Sequence, residues 1–484
     1  MGERRDVWVL SSDDPWHPTI EWYARAITTL QGRPRRNPTS WRYLAAIHGT
    51  STPRSDWPRG VTWHECQHNS WFFLPWHRIY LHYFERVVRQ TIANLGGPDD
   101  WALPYWDYSD SQRPNVRRLP PAFREPQMPS GDSNPLFVSQ RSQQDPDINN
   151  GGRLDALDVE TGDAMAEELF TGPADPGAGF GGPVTGWNHS GGPLGSLENV
   201  PHGTVHVGVG GVGGWMSGFN TAALDPIFWL HHANIDRLWE AWLGQRNPDR
   251  RNPTGRSRWT DMSFTVGQGA QAVTLTVRQV LDTTQPPLDY TYSDVSVPTL
   301  AAGTVLAARS DVESVFGEEE PVPEDEDLVP EMVGASEDRV PLAAEPTEVD
   351  VAVETPSGPA LRARAEGARP RKVYLKVENV RGKKLVAPKY LVYVDLPPGA
   401  DPAEYEDRRA GQISMFGVLE ASESDEEHSG SGLTFSFDIT GVVQRLQEAE
   451  DWDPQRLRVT FAPARVGAEK GGDVSAGRVS LFYA

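Results

Sequence analysis

The sequence predicts a mainly α-helical domain with long loops over residues 1–295, an acidic linker over 296–370 and an all-β sandwich over 371–484. Three observations carry this prediction. Helical apolar patterns run through the first part of the chain, composition changes near Ala301, and a period-two alternation begins at Arg371.

Residues 75–90 (PWHRIYLHYFERVVRQ) read as a helix with Pro75 in its first turn, where the missing N–H costs little. Residues 225–243 (DPIFWLHHANIDRLWEAWL) read as another, with Pro226 in its first turn and Ile235, Leu238, Trp239 and Trp242 on one apolar side. Segments 19–30 and 38–47 read as shorter helices, and 172–201 is too rich in Gly and Pro to be regular. From 301 to 370 the chain is Pro, Glu, Asp, Ala and Val, which bury too little apolar surface to offset ordering entropy, so this segment is expected to be mobile. Beyond it Val373/Leu375/Val377, Leu433/Phe435/Phe437/Ile439, Leu457/Val459/Phe461 and Val479/Leu481/Tyr483 alternate, separated by turn signals such as PPGAD (397–401) and SGSG (429–432).

Length and charge narrow the function. A chain of 484 residues should form two or three compact units, and 17 Trp supply a rigid core. Formal charge is −22, and fourteen acidic residues against the single basic Arg339 between 318 and 354 account for −13 of it. That run reads as a solvated linker, and the balance argues against a nucleic-acid-binding face. Cys66 is the one cysteine, so no intramolecular disulfide can form. The N-terminus MGERRDVWVL lacks the apolar core of a secretory signal and no stretch has the ~20 apolar residues of a membrane helix. A cytoplasmic protein is expected, with export by a separate partner as the alternative.

The chemistry lies in the histidines. His202 and His206 form HGTVH, an i, i+4 pair that a helix places on one face, and His232 adds a third imidazole from the 225–243 helix. Three neutral imidazoles with an open position suit copper, zinc or iron, so spacing alone does not choose the metal. His48, His68 and His77 form a second set. Pro75 separates His68 from the helix that holds His77, so the two can approach one ion from different directions.

CQHNSWFFLPWHR (66–78) resembles the first copper motif of type 3 copper proteins, and DPIFWLHHANIDRLW (225–239), preceded by PHGTVHVGVGG (201–211), resembles the second. YLAAIHG (43–49) is similar to the segment that gives the first ligand, and ALPYWDYS (102–109) to a family helix start. The likeness covers about residues 15–295 and points to tyrosinases and catechol oxidases (polyphenol oxidases). It implies a four-helix bundle around a dicopper centre, with His48, His68 and His77 on one ion, His202, His206 and His232 on the other, and O2 as co-substrate. Position in the family favours His232 over His231, which becomes a supporting residue. His17, His64, His82, His189 and His428 have no partners in the pattern.

Further roles follow from the same resemblance. Cys66, two residues before His68, matches the fungal arrangement in which the cysteine sulfur is joined to the histidine by a thioether, which would lock that ring. Glu198 in LENVPHG matches the plant glutamate that holds an active-site water, and Phe219 the ring that covers the first copper. Asp236, one turn beyond His232, would orient a ligand or pair with an arginine. Tyr290 and Tyr292 match the Y-x-Y motif that closes the plant catalytic domain. Gly203 stands where monophenol-hydroxylating relatives often carry Asn, which implies oxidation of o-diphenols to o-quinones; Val207 implies an apolar, moderately open rim, and Gly208 departs from the usual Trp. The alternatives are a full tyrosinase, an o-aminophenol oxidase, or a haemocyanin-like oxygen carrier. Segments 432–446 and 473–483 resemble the C-terminal domain of plant polyphenol oxidases, which implies a lid covering the site in cis.

Overall fold

The computed structural model describes residues 2–143, 147–172, 177, 179–245, 250–298, 330–354, 372–424, 430–464 and 472–483. Five helices build the catalytic part: α1 (Pro18–Gln31), α2 (Trp41–His48), α3 (Phe73–Asn94), α4 (Thr204–Gly210) and α5 (Ile227–Leu243). His17 has a structural task, since its Nδ1 accepts the Thr19 N–H at the start of α1. Ser40 caps α2 in the same way, through the Tyr43 N–H. A π-helical turn, Glu198–Gly203, leads directly into α4, so the expected loop ends earlier than its composition suggests.

Helices α3 and α5 pack through aromatic rings, with Phe84 stacked on Trp229 at 3.5 Å and Tyr80 4.7 Å from the same indole. Asp236 of α5 ties this pair to the chain ends. It lies 2.5 Å from Arg78 Nε and 3.3 Å from Arg4 Nη1, and accepts hydrogen bonds of 2.6 Å from the Tyr290 and Tyr292 hydroxyls. Strand β1 (Gly2–Arg4) and strand β3 (Tyr290–Tyr292) pair in parallel. The Y-x-Y motif therefore closes the helical domain, and two arginines against one carboxylate satisfy a charge that is costly to bury alone.

The C-terminal part is rich in β-structure. Its strands are β4 (Glu331–Ala335), β5 (Thr347–Val353), β6 (Val373–Val380), β7 (Lys389–Val394), β8 (Arg409–Ser414), β9 (Leu433–Asp438), β10 (Arg456–Ala464) and β11 (Arg478–Tyr483). With β2 (Gly192–Pro193) they form one sheet in the order β8-β7-β10-β5-β4-β11-β6-β9-β2. Strands far apart in this order meet face to face, since Gly411 of β8 lies against the ring of Phe437 on β9. The domain is not all-β, because Thr440–Glu448 forms helix α6 with Val442, Val443 and Leu446 buried on one side. The linker expected over 296–370 is shorter than its composition implied. β4 and β5 lie inside it, with Val333 and Val351 buried, and their acidic alternate positions hid the strand pattern. The rest of the linker, 299–329 and 355–371, and His428 lie outside the described residues. Among the described residues no helix is long and apolar enough to cross a membrane.

The sheet ends on the catalytic domain. β2 belongs to the long loop before α4 and pairs in parallel with Leu433 and Thr434 of β9. Phe416 is the only described buried residue of the C-terminal domain that joins the helical core, while Leu194 and Val212 of the catalytic part pack against the C-terminal core.

Candidate metal centre

His48 is the last residue of α2, His77 lies in the first turns of α3, His206 sits on α4 and His232 on α5. His202 comes from the π-helical turn and His68 from the loop before α3, as Pro75 required. All six are buried. Ring centroids within the first set are 5.2 to 5.6 Å apart, and within the second 4.6 to 5.5 Å. The sets meet at His77 and His232, stacked at 4.5 Å with 12° between their planes.

Backbone carbonyls fix the rings. Nδ1–H of His48 donates to Phe219 O (3.0 Å), of His77 to Phe73 O (2.8 Å), of His202 to Glu198 O (3.0 Å) and of His206 to Met216 O (2.7 Å). Each bond selects the tautomer whose lone pair lies on Nε2, the arrangement that presents an imidazole to a metal. Nε2 of His48, His77 and His202 and both ring nitrogens of His68 have no hydrogen-bond partner among the described residues. A buried polar atom left unpaired costs about 1–3 kcal/mol, so such a concentration fits a cationic occupant. His206 Nε2 and His232 Nε2 face each other at 3.3 Å. Potential ligand atoms of His202, His206, His231 and His232 lie within 4.8 Å of one another, as do those of His48, Cys66 and His68.

Burial holds every one of these imidazoles below the ordinary histidine range, His77 at about 3. Neutral rings are what metal binding needs. The shift also sets an acid limit on the copper-free protein. The folded-state pKa lies below the unfolded value near 6.5, so below that pH the unfolded chain binds more protons and stability is lost as pH falls, for His77 down to about 3. Each imidazole removes about 1.4 kcal/mol per pH unit in that window. The melting temperature of copper-free protein should therefore drop steeply between about pH 6.5 and 5; a flat profile would contradict the burial of these rings.

The surroundings sort the other predicted residues. His231 Nδ1 lies 3.1 Å from the Tyr108 hydroxyl, on the side of α5 away from the first set, whereas His232 stands between the two sets. Phe219 stacks on His68 at 4.1 Å. Glu198 is buried with both oxygens accepting the Asn69 N–H, at 2.8 and 3.0 Å. Asn69 has a left-handed backbone (φ 53), which aims that N–H at the carboxylate. Burial pushes the Glu198 carboxyl up to about 8. Asp236 pairs with arginines and tyrosines and touches no histidine among its described partners, so it supports α5 rather than a ligand. Val207 is buried within the helical core, not on an open rim. Gly208 is closed off as well: a Cβ there would lie 2.7 Å from Leu154 Cδ2 and 3.1 Å from Asp158 Oδ2.

Several residues at the site gave no sequence signal. His189, which seemed to lack a partner, places Nδ1 3.1 Å from Cys66 Sγ and 3.0 Å from the Cys66 carbonyl oxygen. Asn188 donates to the His68 carbonyl at 2.9 Å and so holds that loop. Phe416, from the turn after β8, stacks on His206 at 3.9 Å and lies 4.8 Å from Phe219. The remaining space between His68, Glu198, His202, Gly203, Phe219 and Phe416 is about 10 Å³, room for no more than one water. A six-membered ring does not fit in that space.

Two buried histidine triads facing each other across a helical core define a binuclear metal protein. A family model of the common central domain of tyrosinase matches residues 38–245, and one described as a domain of unknown function (DUF7868) matches 329–484. Over 507 aligned residues, and 99% of both chains, the sequence is 34% identical to "Tyrosinase HcTyr1" of Hahella sp. (strain CCB-MM4). It is 28% identical to "Polyphenol oxidase, chloroplastic" of Malus domestica, covering 93% of this chain and 74% of that one. In fold it resembles latent apple tyrosinase (TM-score 0.60, 22% identity, 100% of this chain and 97% of that one) and a latent aurone synthase (TM-score 0.60, 20% identity, 100% and 89%). The chain belongs to the tyrosinase and polyphenol oxidase family of type 3 copper proteins, and is a copper-dependent oxidase with a dicopper centre and O2 as co-substrate.

Proposed function

We propose that the protein oxidises o-diphenols to o-quinones at a dicopper site framed by the helices of a four-helix bundle. His48, His68 and His77 hold one ion and His202, His206 and His232 the other. The observation that carries this reading is the pair of buried triads whose tautomers leave Nε2 turned inward. When bound, the copper pair supplies the transfer of two electrons from each catechol to O2. The chain's own residues hold neutral imidazoles, exclude water and orient the ring, with Phe219 fixing His68 and its carbonyl fixing His48. Glu198 lines the same space and serves, in its ionised form, as proton acceptor for the phenol; burial alone raises the carboxyl to about 8, and the charge of the copper pair would favour the ionised form.

Gly203 offers no amide beside this acid, so catechols should turn over at least about tenfold faster than the corresponding monophenols. Paired rate measurements on lid-released enzyme test this; equal rates would establish a full tyrosinase. o-Aminophenols can use the same electron path and belong in that panel.

Cys66 and His68 are the second element of the proposal. The sulfur lies within 4.8 Å of a His68 ring nitrogen, which makes that ring a candidate partner for a thioether. Forming that bond removes the thiol hydrogen and one ring hydrogen, with two electrons passing to O2 at the copper pair. Peptide mass analysis of active, copper-loaded enzyme should show residues 66 and 68 linked with two hydrogens lost; an alkylatable thiol would refute the link.

The third element is latency. The C-terminal domain plugs the site with Phe416 and is docked by Lys389, whose Nζ lies 2.5 Å from Asp158 with both groups buried, and by Arg409, 3.4 Å from Glu160.

A further inference from the structure

Position 203 has a second task, which rests on the latency reading above. Gly203 has an ordinary helical backbone (φ −64, ψ −36), so no conformational demand calls for glycine. Helix propensity would favour alanine there by about 1 kcal/mol. Space is the constraint. A Cβ at 203 would stand 2.9 Å from Ser414 Oγ, 3.1 Å from Ser414 Cβ and 3.3 Å from the Glu198 carbonyl oxygen.

Ser414 ends the strand that runs over the catalytic domain, and it is buried there. Two residues earlier, Gln412 donates through its side chain to the Leu157 carbonyl and accepts at its own carbonyl from Asn199 Nδ2 (3.2 Å). The strand therefore cannot slide aside freely. Ser414 Oγ accepts the Phe416 N–H at 3.2 Å, which fixes the turn that carries the plug onto His206.

We infer that Gly203 is a positioning residue for the plug: its missing side chain leaves the seat for Ser414, and Ser414 sets Phe416 over the copper site. A side chain at 203, which the resemblance treats as a selector between monophenols and diphenols, acts in this chain first on lid docking. Its effect on selectivity can be read only once the lid is released.

The test is a double-mutant cycle in the uncleaved, full-length chain. Gly203→Ala should raise catechol turnover about tenfold, since Ser414 must turn its hydroxyl away or shift by a few tenths of an ångström to admit the methyl group, and either move loosens its hold on Phe416. In the copper-free protein it should also speed amide hydrogen exchange across 412–416. In a Ser414→Gly background, which removes the opposing atoms, Gly203→Ala should change neither quantity further. A purely local change in helix stability, of either sign, would add the same increment in both backgrounds. If Gly203→Ala is as latent as wild type while Phe416→Ala activates, the seat is refuted and the lid stands. If neither Phe416→Ala nor cleavage of the linker activates the enzyme, the lid reading falls and takes this inference with it.

Discussion

His232→Ala, loaded with copper after lid release, should hold about one ion per chain instead of two and oxidise catechol roughly a thousandfold more slowly than the lid-released parent. The magnitude follows from position. His232 stacks on His77 and faces His206 Nε2 at 3.3 Å, so its loss opens the boundary between the triads. His206→Ala should behave alike, because its ring is fixed through Met216 O and its Nε2 faces that of His232. His231→Ala is the informative control. That ring rests on the Tyr108 hydroxyl, so its removal should keep two ions and cost about ten- to a hundredfold, the range for a residue that orients a ligand. Copper analysis beside oxygen uptake decides the matter. If His231→Ala were the variant that loses an ion, the assignment of the two adjacent histidines would be inverted.

Lys389→Ala should convert the uncleaved chain from a latent to an active oxidase. The lysine and Asp158 are 2% and 0% exposed, and removing one partner of a buried pair strands the other at a cost of about 3–5 kcal/mol. A lid held by about 3 kcal/mol leaves roughly 1% of molecules open, so losing that pair should raise catechol turnover about 30- to 100-fold at constant copper content. Phe416→Ala should raise it too, but less, because the domain stays docked by Lys389 and Arg409 and only the ring's own volume is freed. Turnover that stays at the wild-type level in both variants, with copper retained, would mean that the C-terminal domain does not limit access.

Sequence made the metal-binding part legible because its signals are local. Pro75 fixed where His68 leaves the helix and His77 joins it, and HGTVH declared its own face of a helix. What escaped detection depends on residues far apart in the chain. His189 meets Cys66 across 123 residues, and Phe416 reaches His206 from a different domain, where a lone Phe in SMFG looks like any core residue. The acidic alternation of TEVDVAV concealed β5, since its buried Val351 is outweighed by Glu348 and Asp350 on the other face. Helix α6 is not legible in the sequence because TGVVQRLQE follows directly on a strand pattern. Gly203 was visible as the residue that replaces the Asn of monophenol-hydroxylating relatives, yet its packing against Ser414 could not be read without the fold.

The central claim is that six buried imidazoles hold two copper ions that oxidise catechols. Copper per chain, measured on purified, lid-released protein alongside oxygen uptake with a catechol, tests it most directly. The account predicts about two ions per chain and uptake that disappears on chelation and returns with added copper. One ion or none at full occupancy, or no oxygen uptake from protein holding two ions, would contradict it.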